Sequence, residues 1–230
     1  MEAYFDLASA GPPSGGGRVR PMLATTGPLP AGPGWAFELK WDGVRALAHI
    51  TDGALRMYAR SGAEITVAYP ELHRLVGALS ATGAAEAVLD GELIALDGAG
   101  RPSFARLAER MHVRDAGRAA GLAASCPVTY MVFDLLRLGD EDLQELPYLV
   151  RRERLEALVA GLGAGPWVVP PSFEDGPATV AAAREMALEG VVAKRQESAY
   201  RQGLRSPDWI KIKNDLTGDF VVGGWRTGSR

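Results

Sequence analysis

A nine-residue segment, FELKWDGVR at positions 37–45, constrains this chain more than any other stretch. Strand-like runs at 35–39 and 45–50 flank the dipeptide Asp42-Gly43, which favours a tight turn, so the sequence predicts a β-hairpin. Lys40 then lies at a strand end among charged neighbours. A lysine is ordinarily protonated, with a pKa of about 10.4, and it becomes a nucleophile only where burial or nearby cations remove that proton. The segment is therefore either a nucleophilic site or a solvated hairpin with ordinary ion pairs.

Length and composition indicate a globular protein. The 230 residues, with a mass of 24.4 kDa, are enough for one large or two small domains. A hydrophobic fraction of 47% and a charged fraction of 23% are ordinary for this class. The sequence has no run of about 18 apolar residues and no signal-peptide pattern at its start, so we expect no membrane contact. The single cysteine, Cys126, suits a reducing cytoplasm.

The charged residues are unevenly distributed. Residues 194–230 carry eight Lys or Arg and four Asp or Glu, whereas the whole chain has a formal net charge of −3. A basic segment on an acidic body is compatible with a local phosphate-binding surface, and it is equally compatible with chance. Charge alone leaves the class of partner open.

The spacing of apolar residues predicts a mixture of strands and helices. Alternating or unbroken apolar runs predict strands at 53–60, 87–97, 128–136, 166–171 and 209–213. Helical spacing predicts helices that begin near Pro70, Pro147 and Ala178, the last of them ending with Gly190 as its C′ glycine. The charged run at 151–154 is interpreted as the solvated face of the second helix.

Two of the predicted strands carry charges that need a polar partner. Asp90 and Glu92 interrupt an apolar strand, and a buried carboxylate without a partner is costly, so the sequence favours a polar ligand there. Strict alternation at 209–213 puts Lys211 and Lys213 on one strand face, where two ammonium groups repel each other unless an anion lies close. Both features predict a site for a polar or anionic ligand.

Six short motifs follow one another along the chain: Lys40-x-Asp42-Gly43, Arg60-Ser61-Gly62, Asp90-Gly91-Glu92, Phe133-Asp134, Glu189-Gly190 and Lys211-x-Lys213. In order and spacing they resemble the nucleotidyltransferase motifs of ATP-dependent DNA ligases, a superfamily that also contains RNA ligases and mRNA capping enzymes. The runs VFDLL at 132–136 and VVGGW at 221–225 make the bacterial ligases of non-homologous end joining the nearest subgroup. The resemblance covers the chain from about Pro21 onward.

The resemblance implies a fold that periodicity alone does not define. It is an α/β (α+β), ATP-grasp-like nucleotidyltransferase fold of two antiparallel-rich sheets with flanking helices, and the nucleotide binds in the groove between the sheets. We expect a flexible segment at 1–20, the adenylation domain at 21–217, and the start of an otherwise missing OB-fold domain at 218–230.

The resemblance also assigns roles to individual side chains. Lys40 attacks the α-phosphate of ATP and becomes a covalent lysyl-AMP, with Asp42 and Arg45 as the other catalytic residues. The nucleotide is bound by a larger set, comprising Glu38, Arg60, Glu92, Phe133, Val192, Lys194, Lys211 and Lys213. Glu92 and Glu189 help to hold Mg²⁺ or Mn²⁺.

Within the nucleotide-binding set, the resemblance distinguishes a base end from a phosphate end. Phe133 and Val192 cover the two faces of adenine, and Glu38 lies near its exocyclic amine. Lys194 is expected near the phosphates. Without the surrounding motifs, Phe133 would be interpreted as an ordinary core residue.

The expected partner is nicked or broken duplex DNA, whose 5′-phosphate receives the AMP before the strand is sealed. A downstream OB-fold domain and fused or associated end-joining polymerase or nuclease modules are also implied. We expect a monomer in the bacterial cytoplasm, associated with the nucleoid. Two alternatives stay open: an RNA ligase or a GTP-using capping enzyme with the same chemistry, and a non-catalytic module that binds nucleic acid.

Overall fold

The computed structural model describes residues 18–214 and Gly224. In this part of the chain the strands are β1 (Leu23–Thr26), β2 (Trp35–Lys40), β3 (Val44–Thr51), β4 (Ala54–Ala59), β5 (Ala87–Ala95), β6 (Val128–Leu138), β7 (Glu141–Asp142), β8 (Trp167–Val168), β9 (Ser172–Phe173), β10 (Gly190–Arg195) and β11 (Arg205–Lys213). The helices are α1 (Arg74–Ala81), α2 (Phe104–Ala108), α3 (Ala116–Ser125), α4 (Tyr148–Leu162) and α5 (Gly176–Glu185). None of these helices is long and apolar enough to span a membrane. The segments predicted at 1–20 and 218–230 lie mostly outside the described residues.

The described strands form two sheets. Sheet A has the order β1-β11-β10-β2-β9, and sheet B has the order β4-β3-β5-β6-β7 with β8 also paired to β6. All neighbouring strands are antiparallel except the pairs β1–β11 and β6–β8. The prediction of two antiparallel-rich sheets in a mixed fold is confirmed.

Strand β2 shows how the sequence gives sheet A two different faces. Trp35, Phe37 and Leu39 alternate with Ala36, Glu38 and Lys40, and they pack against α5 in a hydrophobic core. Burial of each of these large apolar side chains contributes roughly 1.5–3 kcal/mol to the stability of the fold. Because successive side chains of a strand point to opposite faces, Glu38 and Lys40 lie on the other side of the sheet. The apolar face thus fixes the register that presents these two charged residues together.

Two further cores complete the layers. The outer face of sheet B packs against α1 and α4, where Leu155 and Leu158 contact the strand residues. A smaller core, containing Leu47, Leu136 and Trp209, joins the inner faces of the two sheets. This inner core closes one side of the space between the sheets, and an open groove continues beyond it.

The hairpin predicted at Asp42-Gly43 is wrong. Strand β2 pairs with β9 and β10 in sheet A, whereas β3 pairs with β4 and β5 in sheet B, so the intervening segment crosses between the sheets. Gly43 is needed for a different reason, because a Cβ atom there would collide with the backbone carbonyl of Leu93 in β5. This close approach places Lys40 and Arg45 on different sheets that border one groove.

The predicted end of the third helix is also wrong. Helix α5 begins after Asp175, whose carboxylate accepts a hydrogen bond from the Ala178 N–H, and it ends at Glu185. Gly190 is not its C′ residue but the first residue of β10. A Cβ atom on Gly190 would collide with the carbonyl of Ile212 in β11, so the glycine permits close packing of two strands.

The interpretation of residues 151–154 as a solvated face is wrong for the first two arginines. The side chains of Arg151 and Arg152, both on α4, are buried, whereas Glu153 is exposed. Arg151 forms a bidentate ion pair with Asp134 of β6, at 2.8 and 2.9 Å. A charged run in sequence therefore conceals a buried connection between α4 and sheet B.

Candidate active site

The groove between the sheets contains a cavity of about 490 Å³. Eleven of the twelve candidate site residues line it: Glu38, Lys40, Arg45, Arg60, Glu92, Phe133, Glu189, Val192, Lys194, Lys211 and Lys213. Asp42 is the exception, because its side chain is exposed to solvent and does not line the cavity. Residues far apart in sequence are thus brought together from β2, β3, β5, β6, β10 and β11.

Every lysine of the chain lines this one cavity. The sequence contains 25 Lys and Arg, and its only lysines are Lys40, Lys194, Lys211 and Lys213. A lysine can lose its proton in a protein, whereas an arginine effectively cannot. The gathering of all four lysines in one groove indicates a role that the more numerous arginines do not fill.

Lys40 is a partly exposed amine held by a carboxylate. It ends β2 and lies beside Gly190 in the register with β10. Its ammonium group donates a hydrogen bond to Glu189, and the two side chains are 23% and 32% exposed. The second Glu189 oxygen lies 4.0 Å from the Lys213 ammonium. This pairing orients the Lys40 amine while leaving it accessible from the groove.

Arg45 is fixed by an internal network. It donates to both Asp90 oxygens at 2.8 and 2.6 Å, and to the Met22 carbonyl at 3.1 Å. The Tyr200 hydroxyl donates to Asp90 at 2.6 Å and accepts from the Met22 N–H at 2.9 Å. Burial alone would lower the pKa of Arg45, but Asp90 outweighs it and raises the pKa. Asp90 thus has internal partners in place of the polar ligand that the sequence predicted.

Glu38 and Lys194 form a buried ion pair at one end of the cavity. The Lys194 ammonium lies 2.9 and 2.8 Å from the two Glu38 oxygens and 4.6 Å from the centre of the Phe133 ring. Burial lowers the pKa of Lys194, and Glu38 opposes part of this effect. On β10, Lys194 is four residues beyond the position that neighbours Lys40. The structure therefore places Lys194 beside Glu38 rather than beside the Lys40 amine.

Phe133 enters the groove through an irregularity in β6. Two consecutive residues of β5 pair with Val132 and Asp134 of β6, so Phe133, which lies between them, has no partner in the register. A β-bulge of this kind redirects a side chain and commonly occurs next to functional sites. The ring centre lies 4.9 Å from the Arg45 guanidinium and 6.2 Å from the Trp209 ring, in an edge-on arrangement. The bulge gives the cavity one aromatic wall.

Four further cations line the cavity and act on one another electrostatically: Arg60, Arg205, Lys211 and Lys213. Burial lowers the pKa of Lys211, and Arg205 and Lys213 lower it further. Cations that disfavour one another in this way are stabilised by a bound anion. This group of cations is therefore suited to phosphate groups.

Glu92 faces the same cavity as Glu189. Burial raises the pKa of Glu92 to about 7, although Arg45 and Lys40 oppose the increase. Carboxylate oxygens are the ligands that Mg²⁺ prefers, and a cation beside Glu92 would stabilise the charged form that burial disfavours. Glu92 and Glu189 are thus oxygen donors of the kind that a divalent metal ion prefers, although residues 18–214 contain no group of three or more such ligands.

Glu92→Gln is expected to increase stability at pH 8 in a metal-free buffer and to have little effect near pH 5. The folded state favours the protonated form of the Glu92 carboxyl. The contribution of this group to the free energy of unfolding is therefore lost as pH rises from about 4.5 to about 7. Allowing for partial exposure, we expect a gain on the order of 1–2 kcal/mol at pH 8. Denaturant unfolding of both proteins at the two pH values measures it. A difference that does not change with pH would contradict this expectation.

Three residues at or near the cavity belong to none of the sequence motifs. Trp209 and Arg205 line it, and Tyr148 contacts Glu38 from behind. Extending the alternation at 209–213 to its first residue would have placed Trp209 on the face of Lys211. Tyr148 had no such signal, because its contact depends on how α4 packs against both sheets.

Several known proteins are similar to the chain in sequence. The sequence profile of the family described as ATP dependent DNA ligase domain matches residues 21–213. The multifunctional non-homologous end joining protein LigD of Mycolicibacterium smegmatis is 39% identical over 211 residues, covering 90% of this chain and 25% of that protein. LigD of Pseudomonas aeruginosa is 38% identical over 208 residues, covering 90% and 23%. The chain thus spans about a quarter of the length of these relatives.

Solved structures agree with the sequence comparison. The ligase domain of LigD from M. tuberculosis is 37% identical, with a TM-score of 0.71, covering 85% of this chain and 60% of that one. A mycobacterial DNA ligase D complexed with ATP and MES is 38% identical, with a TM-score of 0.70 and the same coverage. The ATP-dependent DNA ligase from bacteriophage T7, at 17% identity and a TM-score of 0.57, shares the fold. The chain belongs to the family of ATP-dependent DNA ligase domains.

Proposed function

We propose that the chain is the adenylation domain of an ATP-dependent DNA ligase, in which Lys40 forms a covalent bond to AMP. The main support is the position of Lys40: a partly exposed amine, oriented by Glu189, in a groove that is lined by further cations and by the aromatic ring of Phe133. An amine in such a place can act as a nucleophile toward a bound nucleotide.

The base end of the cavity matches the hydrogen-bonding pattern of adenine. Glu38 is an acceptor and suits the exocyclic amine, while Lys194 is a donor and suits the adjacent ring nitrogen. Guanine carries a carbonyl oxygen and an N–H at these positions, which is the reverse pattern. Phe133 and Val192 supply apolar surfaces for the ring. This arrangement favours ATP over GTP and argues against a capping enzyme.

The four further cations of the cavity supply charge for the phosphates. Arg60, Arg205, Lys211 and Lys213 bind and orient the triphosphate, while Arg45 is fixed by Asp90 as part of the cavity wall. Glu92 and Glu189 would hold the divalent metal ion, which neutralises phosphate charge when bound. Catalysis then depends on positioning and on stabilising the charge that develops during transfer.

The proposed step exchanges one bond to phosphorus for another. The Nζ atom of Lys40 forms a bond to the α-phosphorus, and the bond from that phosphorus to the bridging oxygen breaks, releasing pyrophosphate. Nζ of Lys40 donates a hydrogen bond to Glu189, so this carboxylate is placed to accept the proton that Nζ gives up. The reaction leaves AMP attached to Lys40 through a phosphoramidate bond.

The lysyl-AMP is proposed to serve the joining of DNA. AMP passes to the 5′-phosphate at a nick or break, and the neighbouring 3′-hydroxyl then displaces AMP to seal the strand. LigD relatives are about four times longer than this chain, and their names describe multifunctional end-joining proteins. We therefore propose that sealing involves a downstream OB-fold domain and further end-joining modules.

Labelled ATP tests the proposal. The purified chain is incubated with Mg²⁺ and ATP labelled at either the α- or the γ-phosphate. We expect the α-label to become covalently attached to the protein and the γ-label to leave with pyrophosphate, and α-labelled GTP to react at least about tenfold less. Transfer of the γ-label, or of neither label, would contradict the proposal. Equal reaction with GTP would contradict the assignment of the base end.

A further inference from the structure

We infer that Tyr148 is a positioning residue for base recognition, whose hydroxyl fixes the Glu38 carboxylate toward the 6-amino group of the bound purine. The inference rests on the proposed function, because it requires that the cavity bind ATP. Tyr148 lies outside all six sequence motifs and does not line the cavity. Its effect on a ligand would be exerted entirely through Glu38.

Two donors hold the Glu38 carboxylate, Lys194 from the cavity wall and Tyr148 from outside the cavity. Tyr148 is the first residue of α4, is fully buried, and donates its hydroxyl hydrogen to Oε1 of Glu38. Lys194 bridges both oxygens, at 2.9 and 2.8 Å. Burial raises the pKa of Tyr148 well above its ordinary value, and the Glu38 charge raises it further, so the hydroxyl stays protonated. Tyr148 is therefore a permanent donor, and the carboxylate has a defined plane.

A third donor would turn the carboxylate away if Tyr148 did not hold it. Arg152 lies one turn further along α4, with its Nη1 atom 3.5 Å from Oε1 of Glu38. This Nη1 is buried and has no hydrogen-bond partner within residues 18–214. The terminal torsion of a glutamate is broad, so the carboxylate rotates easily when a restraint is lost. Removal of the Tyr148 hydroxyl would thus let Glu38 turn toward Arg152.

The consequence concerns one functional group of the ligand. A rotated carboxylate loses its alignment with the amine of adenine, while the cations that bind the phosphates lie on other strands and are unaffected. The Tyr148 hydroxyl and the purine 6-amino group should therefore be energetically coupled. A purely structural role for Tyr148 would weaken the binding of all nucleotides equally.

A double-mutant cycle measures this coupling, with one change in the protein, at Tyr148, and one in the ligand, at the 6-amino group. Dissociation constants are determined with chelator present, so that no transfer occurs, for ATP and for purine riboside triphosphate, which lacks the 6-amino group. We expect the wild-type chain to bind ATP about tenfold more tightly than the analogue, as for one hydrogen bond to a charged group. In Tyr148→Phe we expect this preference to fall to about twofold, with analogue binding nearly unchanged.

Tyr130→Phe is the matched control. Tyr130 is equally buried, and its hydroxyl donates to the Ala46 carbonyl at 2.8 Å, away from Glu38. This variant should keep the tenfold preference for ATP over the analogue. Both variants retain the buried aromatic ring, so we expect both to fold, and their melting curves verify this. An unchanged preference in Tyr148→Phe, or an equal loss in Tyr130→Phe, would overturn the inference. Failure of the wild-type chain to bind ATP would instead count against the proposed function.

Discussion

Replacing Lys40 with arginine should reduce the transfer of α-label from ATP to the protein by at least about 1,000-fold. Arginine retains the positive charge and can still pair with Glu189, so the cavity keeps its electrostatic character. The guanidinium does not lose its proton and is not a nucleophile, so the bond to phosphorus cannot form. Quantitative labelling of wild-type and variant chains under identical conditions measures the ratio.

The affinity for ATP is the internal control for this result. Because Lys40→Arg preserves charge at the site, ATP should bind the variant about as well as the wild type in the presence of chelator. Loss of labelling with retained binding would locate the defect in the chemical step. Labelling of the variant at more than about a tenth of the wild-type level would contradict the role of Lys40 as nucleophile.

Arg151→Met should lower the free energy of unfolding by about 3–5 kcal/mol. Arg151 and Asp134 are both fully buried, and the guanidinium also donates to the carbonyls of Leu146 and Ser198, at 2.6 and 2.9 Å. Methionine fills a similar volume but leaves Asp134 as a buried carboxylate without its cation. Because an unpaired buried charge is far more costly than a missing pair, the loss should be large. Denaturant unfolding measures it directly.

Arg154→Met is the matched control on the same helix. Arg154 pairs with Glu141, but the two side chains are 38% and 54% exposed, and ion pairs open to solvent contribute only about 0.2–1 kcal/mol. A comparable destabilisation by both substitutions would show that the effect comes from α4 itself. A loss below about 1 kcal/mol for Arg151→Met would contradict the account of the buried pair.

The sequence motifs identified most of the cavity because strand alternation fixes which side chains share a face. Glu38 and Lys40 follow directly from the apolar alternation of β2, and the pair Lys211 and Lys213 from that of β11. The family resemblance then predicted that these strands border one groove. Local periodicity could not have shown this, because it does not specify which strands become neighbours.

The wrong predictions have a common physical cause. The Asp42-Gly43 hairpin and the solvated Arg151 were inferred from local sequence, but both depend on contacts distant in the chain. Gly43 is required by the approach of β5, and Arg151 is buried because Asp134 offers a matching carboxylate. The bulge at Phe133 likewise depends on pairing with β5. Such features become visible only when the partner strand or helix is known.

The position of the AMP on the chain tests the central claim most directly. The protein is incubated with ATP and Mg²⁺, digested, and its peptides are analysed by mass spectrometry. Since the sequence contains only four lysines, the modified residue can be identified without ambiguity. We predict one AMP, on Lys40, which disappears when pyrophosphate is added. AMP on Lys194, Lys211 or Lys213, or a modification that pyrophosphate does not reverse, would contradict the account.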